Sequence, residues 1–169
     1  MDVCCGTGDQ VCHYAQRGIT ATGVDLSPSM IKLAEKNKGK QGLRNVFFQI
    51  ADASDLPFQD NFFDYASMSL ALHEIEMVAR DGVISEMRRV VKRGGALIFI
   101  DFQVPLPKNL YAYLAKAIEF MAGRKHHRGF RDYIKQGGLD RLLKRNQLSI
   151  EKREYLKAGI LTIVKTRNI

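Results

Sequence analysis

The sequence predicts an α/β protein: a Rossmann-like, doubly wound, mostly parallel sheet ending in an antiparallel hairpin strand. Three observations predict it. Short apolar runs alternate with helix-length segments almost from the first residue. Several of those runs are continuous in apolar and small residues, as strands buried on both faces are. The last two runs are joined too closely to lie parallel.

The elements follow in order. Residues 2–5 read as the end of a strand, broken by the turn Gly6-Thr7-Gly8. Residues 9–17 form a short helix stopped by Gly18, and residues 19–25 a second strand. Ser27 then caps a helix that Pro28 opens, since proline suits a first turn whose N–H has no partner anyway. Met30, Ile31 and Ala34 share one face of that helix, which is expected to dissolve at residues 37–40. Residues 45–50 form a third strand, followed by a polar stretch at 51–55 and a turn at Pro57. Residues 62–70 form a fourth. A helix over 77–92 carries Ile84, Met87 and Val91 at helical spacing and is closed by Gly94-Gly95, ahead of a fifth strand at 96–102. The rhythm then changes. A helix is expected at 108–121, two short helical pieces at 131–145 around Gly137-Gly138, and two strands at 148–155 and 160–165.

Composition sets bounds on function. A chain of 169 residues, 46% hydrophobic and 26% charged, suits one globular domain with a real core. No apolar run reaches the roughly 18–20 residues that span a bilayer, and the first residues lack the pattern of a signal peptide. Cys4, Cys5 and Cys12 are odd in number and clustered, which fits neither a disulfide framework nor a zinc site. Reduced thiols in a cytoplasmic protein are expected. Residues 1–106 carry 11 Lys/Arg against 13 Asp/Glu, whereas residues 107–169 carry 15 against 5. A segment of net +10 is either a solvated helical face or a surface for phosphates or anionic lipid headgroups.

The sharpest local signal is Asp2-Val3-Cys4-Cys5-Gly6-Thr7-Gly8. A glycine turn between strand and helix lets a ligand approach the backbone. A dinucleotide fingerprint would place its third small residue at position 11, where Val11 stands, so NAD is disfavoured. The run instead resembles the D/E-x-G-x-G-x-G motif of class I S-adenosylmethionine-dependent methyltransferases, with Cys4 in place of the first glycine. Further landmarks follow in family order. Gly23-Val24-Asp25-Leu26-Ser27 resembles the second motif, residues 49–58 the adenine segment, and Asn61-Phe62-Phe63-Asp64 the entry to strand four. Residues 88–97 resemble the approach to strand five, with Arg93 replacing proline. Within the superfamily the look is of the group that includes ubiquinone and menaquinone biosynthesis methyltransferases.

The resemblance implies roles. S-adenosylmethionine would be the cofactor and S-adenosylhomocysteine the product. Gly6 and Gly8 would lie against its methionine part, Cys4 would pack there in glycine's place, and Asp2 would help orient its ammonium group. Asp25 would grip both ribose hydroxyls, for which one bidentate carboxylate is the natural partner. Asp52 would accept from the adenine amino group while the amide of Ala53 donates to the ring. Leu26, Met30 and Ser69 complete the expected cofactor contacts. Residues 1–103 form the cofactor-binding half and 104–169 the substrate-side half of a single domain. The chain enters the first strand one residue before Asp2, so that strand is expected to be truncated and the cofactor site less than complete.

Ligands of such sheets sit beyond the strand ends near the switch in strand order. That points to residues 69–74, with His73 and Glu74 as candidate bases or polar anchors. Tyr111 and Tyr113 are candidates for a substrate pocket or for helical packing. His126-His127 would hold an anionic group or lie in an exposed basic loop. No metal site is expected. The acceptor is expected to be a small molecule, quinone-like or lipid-like. Ser67-Met68-Ser69-Leu70 stands where amino-methylating nucleic-acid enzymes carry Asn/Asp-Pro-Pro-Tyr, which disfavours tRNA or rRNA. A cofactor-binding domain that transfers nothing is the non-enzymatic alternative. The basic C-terminal third leaves contact with a membrane surface open.

Overall fold

The computed structural model describes residues 1–169, apart from the side chain of Lys125. The chain runs β1 (Asp2–Val3), α1 (Asp9–Gln16), β2 (Ala21–Asp25), α2 (Pro28–Lys40), β3 (Val46–Ile50), β4 (Phe63–Ser69), α3 (Arg80–Val90) and β5 (Val91–Phe102). There follow α4 (Leu110–Met121), α5 (Arg124–Lys135), α6 (Gly138–Arg145), β6 (Ile150–Leu156) and β7 (Leu161–Arg167). One sheet of seven strands has the order β3-β2-β1-β4-β5-β7-β6. The first five strands are parallel, and β7 runs antiparallel to both β5 and β6. This is the predicted doubly wound sheet with its C-terminal antiparallel hairpin. β1 is two residues long, paired on both sides at Asp2 and Val3.

Strand order reverses between β1 and β4, so the crevice at their carboxyl ends is where such a sheet takes ligands. The core divides accordingly. A large cluster centred on Met68, Leu97, Phe99, Tyr133 and Leu139 lies under the C-terminal helices. A smaller one, Val11, Ala15, Ile31 and Val46, lies under α1 and α2.

Several elements depart from their expected limits. α2 does not dissolve at 37–40 but continues to Lys40. An interior glycine costs a helix only about 1 kcal/mol, and Asn37 is held by its own contact, its Nδ2 donating to the Thr7 carbonyl at 3.1 Å. α3 is shorter than expected at both ends. Ala79 at its start offers no capping side chain. At its end Nδ2 of the Asn168 side chain donates to the carbonyls of Arg88 (2.8 Å) and Val91 (2.7 Å), and the chain turns directly into β5.

The largest difference is α5, which begins at Arg124 and takes His126 and His127 out of the expected loop. Gly129 lies inside this helix. A Cβ there would stand 2.8 Å from the His73 carbonyl and 3.2 Å from that of Glu74. The missing side chain lets α5 rest on the backbone that follows β4.

Candidate functional site

The glycine turn closes tightly, with the Gly8 amide donating to the Cys5 carbonyl at 2.9 Å. Gly8 adopts a left-handed conformation (φ 74°) and starts α1. Alongside it, β2 delivers Asp25. The Gly6 amide donates to Oδ2 of Asp25 at 2.8 Å and the Ser27 amide to Oδ1 at 2.9 Å. Each carboxylate oxygen has one amide behind it and further acceptor capacity in front. A carboxylate so oriented suits two vicinal hydroxyls.

The Ala51 amide donates to the Asp25 carbonyl at 3.1 Å, which carries the chain past β3 to Asp52 beside Asp25. Oδ1 of Asp52 accepts from the Ser54 amide (2.8 Å) and hydroxyl (2.7 Å). Those hydrogen bonds, the backbone one foremost, hold its carboxyl below the ordinary range and leave Oδ2 available. Ala53 is half-buried against the core. Leu26 and Met30 are exposed.

A cleft of about 370 Å³ opens beside Asp25 and Leu26; Gly6, Gly8, Met30, Asp52 and Ala53 do not line it. It is lined by Cys4, Asp25, Leu26, Ala71, Glu74 and His126, with Ile75 and Glu76 at one end. Cys4 sits at φ 58°, a left-handed conformation that favours the glycine of the resembling motif. Burial, with the nearby carboxylates Asp25 and Asp2, pushes its thiol up to about 12. It stays protonated at neutral pH and is a packing group rather than a nucleophile.

Asp2 lies elsewhere. It is buried and does not line the cleft; its Oδ1 accepts from the Ser67 hydroxyl at 2.6 Å. Burial pushes its carboxyl from 3.8 to about 6, against the pull of the Ser67 hydrogen bond. The folded state therefore keeps a proton that the unfolded chain releases between about pH 4 and pH 6. Stability from this group is full below pH 3.8 and is lost as pH rises through about 6. Asp2→Asn is expected to raise stability by about 1–3 kcal/mol at pH 7 and by little near pH 4. Denaturant unfolding of both proteins at the two pH values checks this; a gain that does not depend on pH would refute it.

His73 is buried, and its surroundings were not foreseen from the sequence. Its Nδ1 meets Oδ1 of Asp101 at 2.7 Å, and its amide donates to Oδ2 at 3.2 Å. Its Nε2 faces Oε1 of Glu119 at 3.7 Å and of Glu74 at 3.8 Å. Burial opposes the charged ring, but Asp101, Glu119 and Glu74 outweigh it and raise its pKa. Glu74 is exposed at the cleft and also lies 3.3 Å from Nδ1 of His126. Of the two expected catalytic residues, then, Glu74 reaches the cleft and His73 stands behind it. His126 comes from α5 rather than a loop. Tyr111 and Tyr113 are exposed on α4 and line none of the described cavities near the cleft. Ser69 is half-buried at the end of β4, beside Leu70, whose amide donates to the Ile100 carbonyl at 2.7 Å.

Asp101, Glu119, Ser67 and Arg80 were not singled out in the sequence. Two had a signal: Asp101 interrupts the apolar run of β5, and Glu119 is the one acid in α4. Arg80 is fully buried, donating from Nε to the Ile75 carbonyl at 3.0 Å and from a terminal nitrogen to the Gly129 carbonyl at 3.1 Å.

A seven-stranded sheet in this order, with a glycine turn after β1 and an acid at the end of β2, defines the class I methyltransferase fold. The chain belongs to the methyltransferase domain family, which matches residues 1–99. Among curated relatives it is similar to a demethylmenaquinone methyltransferase of Paenarthrobacter aurescens, 36% identical over 126 residues, covering 72% of this chain and 47% of that protein. It is likewise similar to a demethylmenaquinone methyltransferase of Staphylococcus aureus, 33% identical over 141 residues, covering 79% of this chain and 56% of that protein. The chain thus spans about half the length of these relatives. Among solved structures, a SAM-dependent methyltransferase from Methanosarcina mazei shares the fold with a TM-score of 0.73 at 23% identity, over 99% of this chain and 91% of that one. The family implies use of S-adenosylmethionine. Among the described residues, no helix is long and apolar enough to cross a membrane.

Proposed function

We propose that the protein transfers a methyl group from S-adenosylmethionine to a small quinone-like or lipid-like acceptor in the cytoplasm, leaving S-adenosylhomocysteine. The observation that carries this reading is Asp25, whose two oxygens are fixed by the Gly6 and Ser27 amides with acceptor capacity turned to the cleft. These residues fit the cofactor. Asp25 would hold the ribose, Asp52 and Ala53 the adenine edge, and Leu26 and Met30 would cover apolar faces. Gly6 and Gly8 would admit the methionine part beside Cys4, and Ser69 would lie near the reacting end. Asp2, being buried, would act on the ammonium group through the position of the turn. The named activity of the relatives supports an acceptor of quinone type.

When bound, the cofactor supplies an electrophilic methyl group on a sulfonium. The chain's own work is alignment and, for an acceptor that must lose a proton, proton removal. We assign that removal to Glu74, which lines the cleft with one carboxylate oxygen 3.3 Å from Nδ1 of His126, also at the cleft, and 3.8 Å from Nε2 of the buried His73. Asp101 fixes the His73 ring so that Nε2 faces Glu74 and Glu119.

The test measures transfer of labelled methyl from S-adenosylmethionine to a panel of phenolic and quinol acceptors and to RNA, with S-adenosylhomocysteine binding followed by calorimetry. Transfer to a small acceptor, reduced at least tenfold by Glu74→Gln with cofactor affinity unchanged, is the expected result. Transfer to RNA alone, or cofactor binding with no transfer to any acceptor, would overturn it.

A further inference from the structure

A surface helix ordinarily buries its large apolar residues and shows its small and charged ones. α4 does the reverse. Its buried residues are Ala112, Ala115 and Glu119, whereas Leu110, Leu114, Ile118 and Met121 form one exposed stripe along the opposite face, 69% and 75% exposed at its two ends. Tyr113 flanks the stripe with Lys116 held 5.8 Å from its ring centre. The turn between β6 and β7 extends the surface: Asn109 Nδ2 donates to the Ala158 carbonyl at 3.0 Å, beside exposed Tyr155 and Leu156.

Charge surrounds this apolar face. Arg124, Arg128, Arg131 and Lys135 are exposed on α5. Between α4 and α5 lies a groove of about 270 Å³ with an apolar floor at Phe130 and Ile134, rimmed by Lys116, Arg131 and Lys135. The segment 107–169 has a net charge of +10, from 15 Lys/Arg against 5 Asp/Glu. An apolar stripe on a short helix beside a cationic rim is the pattern of a helix that lies in the plane of a bilayer surface. A second copy of this surface would bring like charges together, and a nucleic acid would leave the apolar stripe in water. A bilayer with anionic headgroups satisfies both parts.

We propose that α4, α5 and the β6–β7 turn form a docking surface for an anionic lipid bilayer, with the α4 stripe toward the acyl chains and the α5 cations at the headgroups. Because α5 also supplies His126 to the cleft, docking holds the cleft wall near headgroup level. The proposal rests on this surface and not on the acceptor, so it is tested without cofactor.

The experiment is flotation of the protein with phosphatidylcholine vesicles, with and without about 30% phosphatidylglycerol. Partition onto the anionic vesicles is expected to exceed that onto neutral ones about tenfold and to fall as salt is raised. Leu114→Ser with Ile118→Ser, and separately Arg131→Glu with Lys135→Glu, should each reduce it about tenfold while melting temperature is unchanged. These side chains are solvent-facing, so the variants should fold. Equal partition onto neutral vesicles would overturn the proposal, as would indifference of partition to both variants. So would a soluble dimer that the α4 variant dissociates, or preferential binding to RNA over vesicles. Loss of methyl transfer with vesicle binding intact would count against the functional reading alone.

Discussion

Asp25→Ala is expected to weaken S-adenosylhomocysteine binding by about 1.5–3 kcal/mol, roughly 10- to 150-fold. The substitution removes the carboxylate that would take both ribose hydroxyls, and it also leaves the Gly6 and Ser27 amides without their acceptor. Both effects act on the turn that borders the cofactor. Calorimetry on the variant and the unaltered protein measures the change, with a thermal melt to show that the fold persists. Unchanged affinity in a folded variant would remove Asp25 from the site.

Gly8→Ala is expected to act on stability more than any other single substitution in the turn. A Cβ at Gly8 would stand 2.4 Å from Cζ of Phe48 and 2.8 Å from Cβ of Ala34. The Phe48 ring is the far end of a side chain and can swing, but Ala34 is fully buried on α2 and has nowhere to go. Overpacking of this kind costs about 1–3 kcal/mol, and a side chain at φ 74° adds about 1–2 kcal/mol. The melting temperature should fall by roughly 5–15 °C, and cofactor binding should weaken with it because the turn cannot close as before. A melt within about 2 °C of the unaltered protein would show that Phe48 and the turn relax freely.

The sequence was most legible where a local rule and the global fold agree. Ser27 and Pro28 open α2 as their chemistry requires, the Ser27 hydroxyl accepting from the Met30 amide at 3.4 Å. The alternation of apolar runs pointed to the parallel strands, and the short connection read at residues 156–159, which lies at 157–160 in the structure, to the hairpin. Legibility failed where partners are distant in the chain. The end of α3 is decided by Asn168, eighty residues beyond Arg88. The seating of α5 depends on the fit of Gly129 against the His73 carbonyl, which no window of sequence contains. The site divides the same way. Asp25 could be read from its place at a strand end, whereas the pairing of His73 with Asp101 and Glu119 depends on three separate elements meeting.

Arg80 decides how the wall of the cleft is held together. Its guanidinium holds the Ile75 carbonyl, next to Glu74, and the Gly129 carbonyl, three residues after His126. Tyr133 packs against the same group, its ring centre 5.6 Å away. The two sides of the wall that face an incoming acceptor are thereby fastened to one buried cation. Displacing one side from the other would take a hydrogen bond away from a buried charge, which is costly, so the two sides are held in one relation. The 3.3 Å approach of Glu74 to His126 at the cleft therefore rests on a side chain that touches neither of them.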